Sequence, residues 1–135
     1  MANFKFFNPH PHGLLGCPDC VKRAICVCTG MDYMEVQRGL NRQKRISKVK
    51  IYYVYPNPVQ YIEKLGAKSI SLPQARMTAA ELVDFVASIQ ENASLIIGTK
   101  GHWMGAVIRD GTGTVMDTGN RMNELVTEAW IFRKE

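Results

Sequence analysis

No stretch of this chain is apolar for long enough to cross a membrane as a helix; none approaches the roughly 18 residues a span requires. The opening residues, MANFKFFNPHPHG, lack the apolar centre of a secretion signal. These two absences set the expectation of a cytoplasmic protein in a reducing compartment, where disulfides are rare. Internal repeats and low-complexity segments are also missing, which excludes a repeat array and leaves one domain over residues 1–135. Cysteine is absent outside residues 17–28, where all four copies lie. Cysteines crowded on one short segment make poor staples for distant parts of a fold, so a disulfide framework is not expected.

What is present is ordinary globular composition, 46% hydrophobic and 21% charged. The formal net charge of +5 is compatible with an anionic partner but does not identify one. The first half reads helical. Pro18 and Asp19 suit a first turn, and Val21, Ala24, Ile25 and Cys28 recur at the spacing of a buried helix face. On this pattern Cys26 falls on the solvent side or at the margin. Thr29-Gly30 ends the helix. Asp32 caps a second helix, with Glu35 completing a capping box, Met31 and Val36 as the staple, and Tyr33, Val36 and Leu40 facing inward.

Residues 42–50, RQKRISKVK, form a basic run, read first as a solvated helix end and connector. IYYVY at 51–55 reads as extended, Asn57-Pro58 opens a short helix through Leu65, and Gly66 stops it. Thr78 and Glu81 make a second capping box, stapled by Met77 and Leu82; the helix it starts is expected to bury Leu82, Phe85, Val86 and Ile89. Four strands follow, at 94–98, 102–109, 113–118 and 126–132, with Asp110-Gly111 as a hairpin turn between the second and third. Helices followed by an antiparallel meander predict an α+β domain, the N-terminal helices packed on a C-terminal antiparallel sheet.

The cysteines admit several chemistries. Cys17-Pro-Asp-Cys20 is a C-x-x-C at a helix start, but it follows loop sequence rather than the strand that precedes a thioredoxin-like redox pair. His10, His12, Cys17 and Cys20 could supply four zinc ligands in H-x-H-x4-C-x2-C, an unusual spacing for zinc. Cys26 and Cys28 read as packing residues. Cys20 stands apart because it lies in the first turn of a helix, where unpaired N–H groups and the helix dipole favour a thiolate. His102 heads a later strand and Asp117 ends the next one. The hairpin between them brings both to one end of the sheet, where a carboxylate can orient an imidazole. Cys20 as nucleophile, His102 as base then acid and Asp117 as orienting carboxylate form a candidate constellation.

The order of these residues resembles that of the papain-like cysteine peptidases. There the nucleophile starts a helix, the histidine starts a later antiparallel strand, and an Asn or Asp lies on the strand after. The chain looks closest to minimal members such as bacteriocin-processing peptidase domains. It also resembles small phage and bacterial proteins that share its early and late motifs. Those motifs read here Asn8-Pro9, Asp19-Cys20-Val21-Lys22-Arg23-Ala24-Ile25, Thr29-Gly30, His102, Ala106-Val107, Asp110-Gly111 and Val115-Met116-Asp117-Thr118. The resemblance implies a minimal papain-like fold. It departs from the pattern in two ways. The nearest upstream amide for an oxyanion hole is Asn8, and Cys17 is an additional cysteine. Trp103 is a candidate wall of the substrate cleft, with a packed core aromatic as the competing reading.

The function expected is a thiol hydrolase that cleaves peptide or isopeptide bonds, with a peptide or protein substrate. No cofactor or metal, no membrane and no nucleic acid are expected, and a phage-encoded copy would work in the host cytoplasm. The alternatives are a silent binding protein on the same fold, such as a phage-encoded modulator of a host protein, and a small zinc- or nucleic-acid-binding domain. The last would use Arg42, Lys44, Arg45, Lys48 and Lys50, with Tyr52, Tyr53 and Tyr55 for stacking.

Overall fold

The structure is a computed structural model and describes residues 1–15, 18–47 and 57–133. These form β1 (Asn3–Phe6), α1 (Cys20–Thr29), α2 (Tyr33–Ser47), α3 (Asn57–Lys64), β2 (Lys68–Ser69), α4 (Ala79–Ala87), β3 (Ala93–Thr99), β4 (His102–Arg109), β5 (Thr112–Asp117) and β6 (Glu128–Arg133). The domain is α+β, as expected, with helices packed on one mixed sheet. Among the described residues no helix is long and apolar enough to cross a membrane.

Strand order is β1-β5-β4-β3-β6-β2. Two features depart from the expected antiparallel meander. β1 pairs in parallel with β5, Phe6 lying beside Asp117. β6 crosses to the far side and pairs with β3 instead of β5, where the two-residue β2 joins it. β2 has two residues, too few to show the alternation that marks a half-buried strand, and the alternation of β1, Asn3-Phe4-Lys5-Phe6, spans only four. The β4–β5 hairpin forms at Asp110-Gly111, both with positive φ (51° and 79°), as a tight primed turn requires.

The sheet is covered on both faces, so its central strands alternate between two apolar layers. Leu95, Ile97, Met104, Ala106, Ala129 and Ile131 pack with Leu82, Val83 and Val86 of α4. Ile96, Trp103, Trp130 and Phe132 pack with Ile25 and Cys28 of α1, Val36 and Leu40 of α2, and Ile62 of α3. Two-sided burial explains why SLIIG reads as a continuous apolar run. α4 has the capping box its sequence announces, Thr78 accepting from the Glu81 N–H and Glu81 from the Thr78 N–H. Its inner face is rotated from the expected one: Ala79, Leu82, Val83 and Val86 are buried, while Phe85 and Ile89 are exposed.

α1 begins at Cys20, one residue after Asp19, and ends on Gly30 in the left-handed conformation. It is surrounded rather than amphipathic. Every residue from Val21 to Cys28 is buried, which places Cys26 in the interior, contrary to the expectation from periodicity. The helix lies close on β4. A Cβ at Gly105 would stand 2.6 Å from the Val27 Cβ and 3.0 Å from the Ala24 carbonyl oxygen, so only glycine fits there. That approach holds the first residue of α1 near the first residue of β4. The Asp32 carboxylate caps α2 by accepting from the Met34 N–H at 3.1 Å. Arg42, Lys44 and Arg45 occupy the last turns of α2, while Lys48, Lys50 and the expected strand at 51–55 lie outside the described residues.

Candidate active site

Three chain segments end at the same edge of the molecule. α1 starts there with Cys20, β4 starts there with His102, and β5 runs antiparallel and finishes there at Asp117. The Asp117 carbonyl is also held by the Phe7 N–H at 2.9 Å, so the strand missed in sequence pins this end of β5. His102 Nε2 lies 2.7 Å from Asp117 Oδ2. A carboxylate only accepts, so Nε2 carries a proton in this contact. Cys20 and His102 each favour the other's charged form, and Cys20, His102 and Asp117 line one hollow.

Electrostatics polarise this group. Burial by itself raises the Cys20 thiol pKa. The hydrogen bond with His102, the Trp103 backbone N–H and the charges of His102 and Arg23 together outweigh it and hold the thiol below its ordinary value. Burial disfavours the charged His102 ring, yet hydrogen bonds and charge from Asp117 and Cys20 raise it to about 9. Asp117 is buried too, and desolvation pushes its pKa up. The His102 bond, the Thr118 N–H (2.7 Å to Oδ1) and the Arg23 charge reverse the sign and keep it ionised. A lowered thiol beside a raised imidazole favours thiolate and imidazolium at neutral pH.

Two hollows meet at Cys20, Gly101 and His102. One, of about 460 Å³, is walled by Val21, Pro58, Val59, Trp103 and Glu128. The other, of about 500 Å³, is walled by Leu15, Arg23, Thr118, Gly119 and Arg121. Cys20 therefore lines both hollows. A larger hollow of about 670 Å³ lies elsewhere, beside Cys26, Met31 and Tyr33. It holds none of the three residues, and burial pushes the Cys26 thiol up to about 12, leaving it unreactive.

Other residues singled out in the sequence are placed differently. Asn8 spends its amide N–H on the Leu14 carbonyl (3.1 Å) and its oxygen on the His10 N–H (3.2 Å). It braces its own loop and lines neither hollow beside Cys20, so the oxyanion role expected of it is not the one its bonds serve. The Trp103 ring is packed in the core, 5.0 Å from the Trp130 ring, and the residue also lines the smaller hollow. His10 accepts the His12 N–H through Nδ1 and its ring lies 5.2 Å from that of Tyr33. Among the described residues no three His, Cys, Asp or Glu side chains are grouped to hold a metal. Cys17 lies outside the described residues.

Two contributors were not found from the sequence. Asp19, immediately before Cys20, makes no side-chain cap on α1 although its residue type favours one. Its oxygens go instead to Arg23 Nη1 (2.5 Å) and the Tyr33 hydroxyl (3.0 Å). The first-turn N–H groups of α1, which have no partner within a helix, are left without a capping carboxylate at the point where the sulfur sits. Arg23 in turn reaches Asp117. The i, i+4 spacing of Asp19 and Arg23 was a signal available in the sequence. Comparison with protein-family models, curated proteins and solved structures finds no match to this chain.

Proposed function

We propose that this chain is a thiol hydrolase that cleaves a peptide or isopeptide bond through Cys20, His102 and Asp117. The observation that carries the reading is the convergence of Cys20, His102 and Asp117 on one hollow, with His102 Nε2 2.7 Å from Asp117 Oδ2. The second hollow that Cys20 lines supports it. So does the order of the three residues along the chain, which resembles that of papain-like cysteine peptidases. Cys20 and Cys26 are thiols rather than disulfides, which suits a reducing compartment such as the cytoplasm.

The Cys20 thiolate adds to the substrate carbonyl carbon, and the carbonyl electron pair moves onto oxygen. First-turn N–H groups of α1, that of Cys20 foremost, stabilise the oxyanion. As the carbonyl re-forms, the C–N bond breaks and the His102 imidazolium gives its Nδ1 proton to the leaving amine. The resulting thioester is attacked by water, whose proton returns to His102. Collapse of that second oxyanion breaks the C–S bond, releasing the acid and restoring the thiolate. Throughout, Asp117 keeps the ring in the tautomer that presents Nδ1 to sulfur and stabilises its charge.

The test is turnover of a fluorogenic peptide library, together with labelling by a peptidyl electrophile. Wild-type protein should show both and Cys20→Ala neither, with an unchanged circular dichroism spectrum. Labelling that survives Cys20→Ala and disappears with Cys17→Ala would overturn the assignment.

A further inference from the structure

The buried polar groups around the site form a ladder that extends beyond the three residues. Arg23 is buried, and its Nε–H donates to Asp117 Oδ1 at 2.8 Å while its Nη1 donates to Asp19 Oδ1 at 2.5 Å. The Tyr33 hydroxyl donates to the remaining Asp19 oxygen at 3.0 Å. Asp117 Oδ2 faces His102, while Oδ1 takes both Arg23 and the Thr118 N–H. Both oxygens of each carboxylate are therefore engaged. A guanidinium can do this because its donors form a planar fork; an ammonium presents a single point of charge.

We propose that Arg23 is a positioning residue, and that its bridge between Asp19 and Asp117 fixes His102 against the Cys20 sulfur and sets the charge balance under which that sulfur ionises. The inference rests on the hydrolase reading for its purpose, though not for its measurement. Without Arg23, Asp117 could turn about its side-chain bonds and give up His102. With Arg23 in place such a turn would break a second charge-assisted bond as well. Asp19 anchors the other end of the guanidinium, and Tyr33 fixes Asp19 from α2. The segment that carries the nucleophile is thereby tied to the carboxylate that orients the base.

Titratable and charged groups face this ladder from every side. Asp19, Cys20, Lys22 and Arg23 come from the start of α1, Tyr33 from α2, His102 from β4 and Asp117 from β5. Arg121, paired with Glu124, lies in the hollow beyond β5, and His10 lies against the Tyr33 ring. Removing a positive charge from such a cluster raises the pKa of each neighbour, and removing a negative charge lowers it. A residue that mattered only for packing would produce no such sign.

The test is the pH dependence of Cys20 alkylation by iodoacetamide, located by peptide mass spectrometry in a Cys17→Ser background. Arg23→Met should move the midpoint up by roughly one pH unit, and Asp19→Asn should move it down by a similar amount. Arg23→Lys, which keeps the charge but loses the fork, should move the midpoint up by less than Arg23→Met. If Arg23→Met fails to fold, the downward shift in Asp19→Asn with a smaller upward shift in Arg23→Lys decides the matter. Midpoints that stay at the wild-type value in folded Asp19→Asn and Arg23→Met would overturn the proposal. The readout is the thiol itself. Opposite shifts in a protein that cleaves no peptide would support the bridge and remove the hydrolase reading.

Discussion

His102 Nε2 and Asp117 Oδ2 lie 2.7 Å apart at the open end of the β4–β5 hairpin, both side chains almost entirely buried. An acceptor-only carboxylate at this position dictates which ring nitrogen is protonated, and so which one faces Cys20. Asp117→Asn keeps the shape and removes that instruction. Turnover should fall on the order of 10³- to 10⁴-fold, with the far-UV spectrum unchanged. Steady-state kinetics on the best peptide substrate measure this, and a loss under about tenfold would remove Asp117 from the proposed machinery.

The same contact makes a prediction about stability. The His102 pKa is raised from 6.5 to about 9 on folding, so the folded protein keeps a proton that the unfolded chain releases. That contribution is fully present below the unfolded value of 6.5 and is lost as pH rises through about 9. Urea titrations of wild type and His102→Ala should therefore converge with rising pH across that window. The difference should narrow by something on the order of 2–3 kcal/mol. A gap that stays constant would mean the ring is neutral in the folded state.

The described cysteines should differ sharply in reactivity. Cys20 is partly exposed and its pKa is lowered, whereas Cys26 is buried and raised to about 12. Cys28 is buried with its thiol donating to the Leu95 carbonyl at 3.0 Å. In a Cys17→Ser background at neutral pH, iodoacetamide should label Cys20 at least about 100 times faster than Cys26 or Cys28, because thiolate fraction and access both favour it. In strong urea the three rates should converge. Fast native-state labelling of Cys26 would contradict the packing described for α1.

Much of this arrangement was legible because it depends on local signals. The Thr78–Glu81 box, the Asp110-Gly111 turn and the stop at Gly30 are each read from a few adjacent residues, and each forms. The meeting of His102 and Asp117 follows from that hairpin, and the place of Cys20 follows from the helix start. Long-range pairing was not legible. β1 owes its strand to a partner more than a hundred residues away, and β6 chose β3 over β5 by packing. Cys26 was misjudged because α1 is covered on several sides, a condition that a single-face periodicity cannot express. In α4, positions 82, 85, 86 and 89 fit the helical period as well as 79, 82, 83 and 86 do. The sheet beneath selects the second set, while Ile89 lies past the helix end. Arg23 and Asp117 stand 94 residues apart, and no sequence spacing announces a bridge between them.

The close approach of α1 to β4 gives the last prediction. Gly105→Ala places a methyl against Val27 and the Ala24 carbonyl, and the second of these is backbone that cannot rotate away. The helix must lift, at a cost of about 1–3 kcal/mol for an overpacked contact. Because Cys20 begins that helix, its distance from His102 should grow and its thiolate should lose support, so Cys20 alkylation near neutral pH should slow even in fully folded protein. Leu82→Ala serves as the contrast. Leu82 is fully buried in the α4 layer on the opposite face of the sheet, and its truncation should cost about 2–5 kcal/mol. That larger loss should leave the alkylation rate of the folded fraction where it was. Urea denaturation and alkylation measured on the same samples separate the two effects. If Leu82→Ala slows Cys20 as much as Gly105→Ala does, the rate reports general stability and not the seating of α1 on β4.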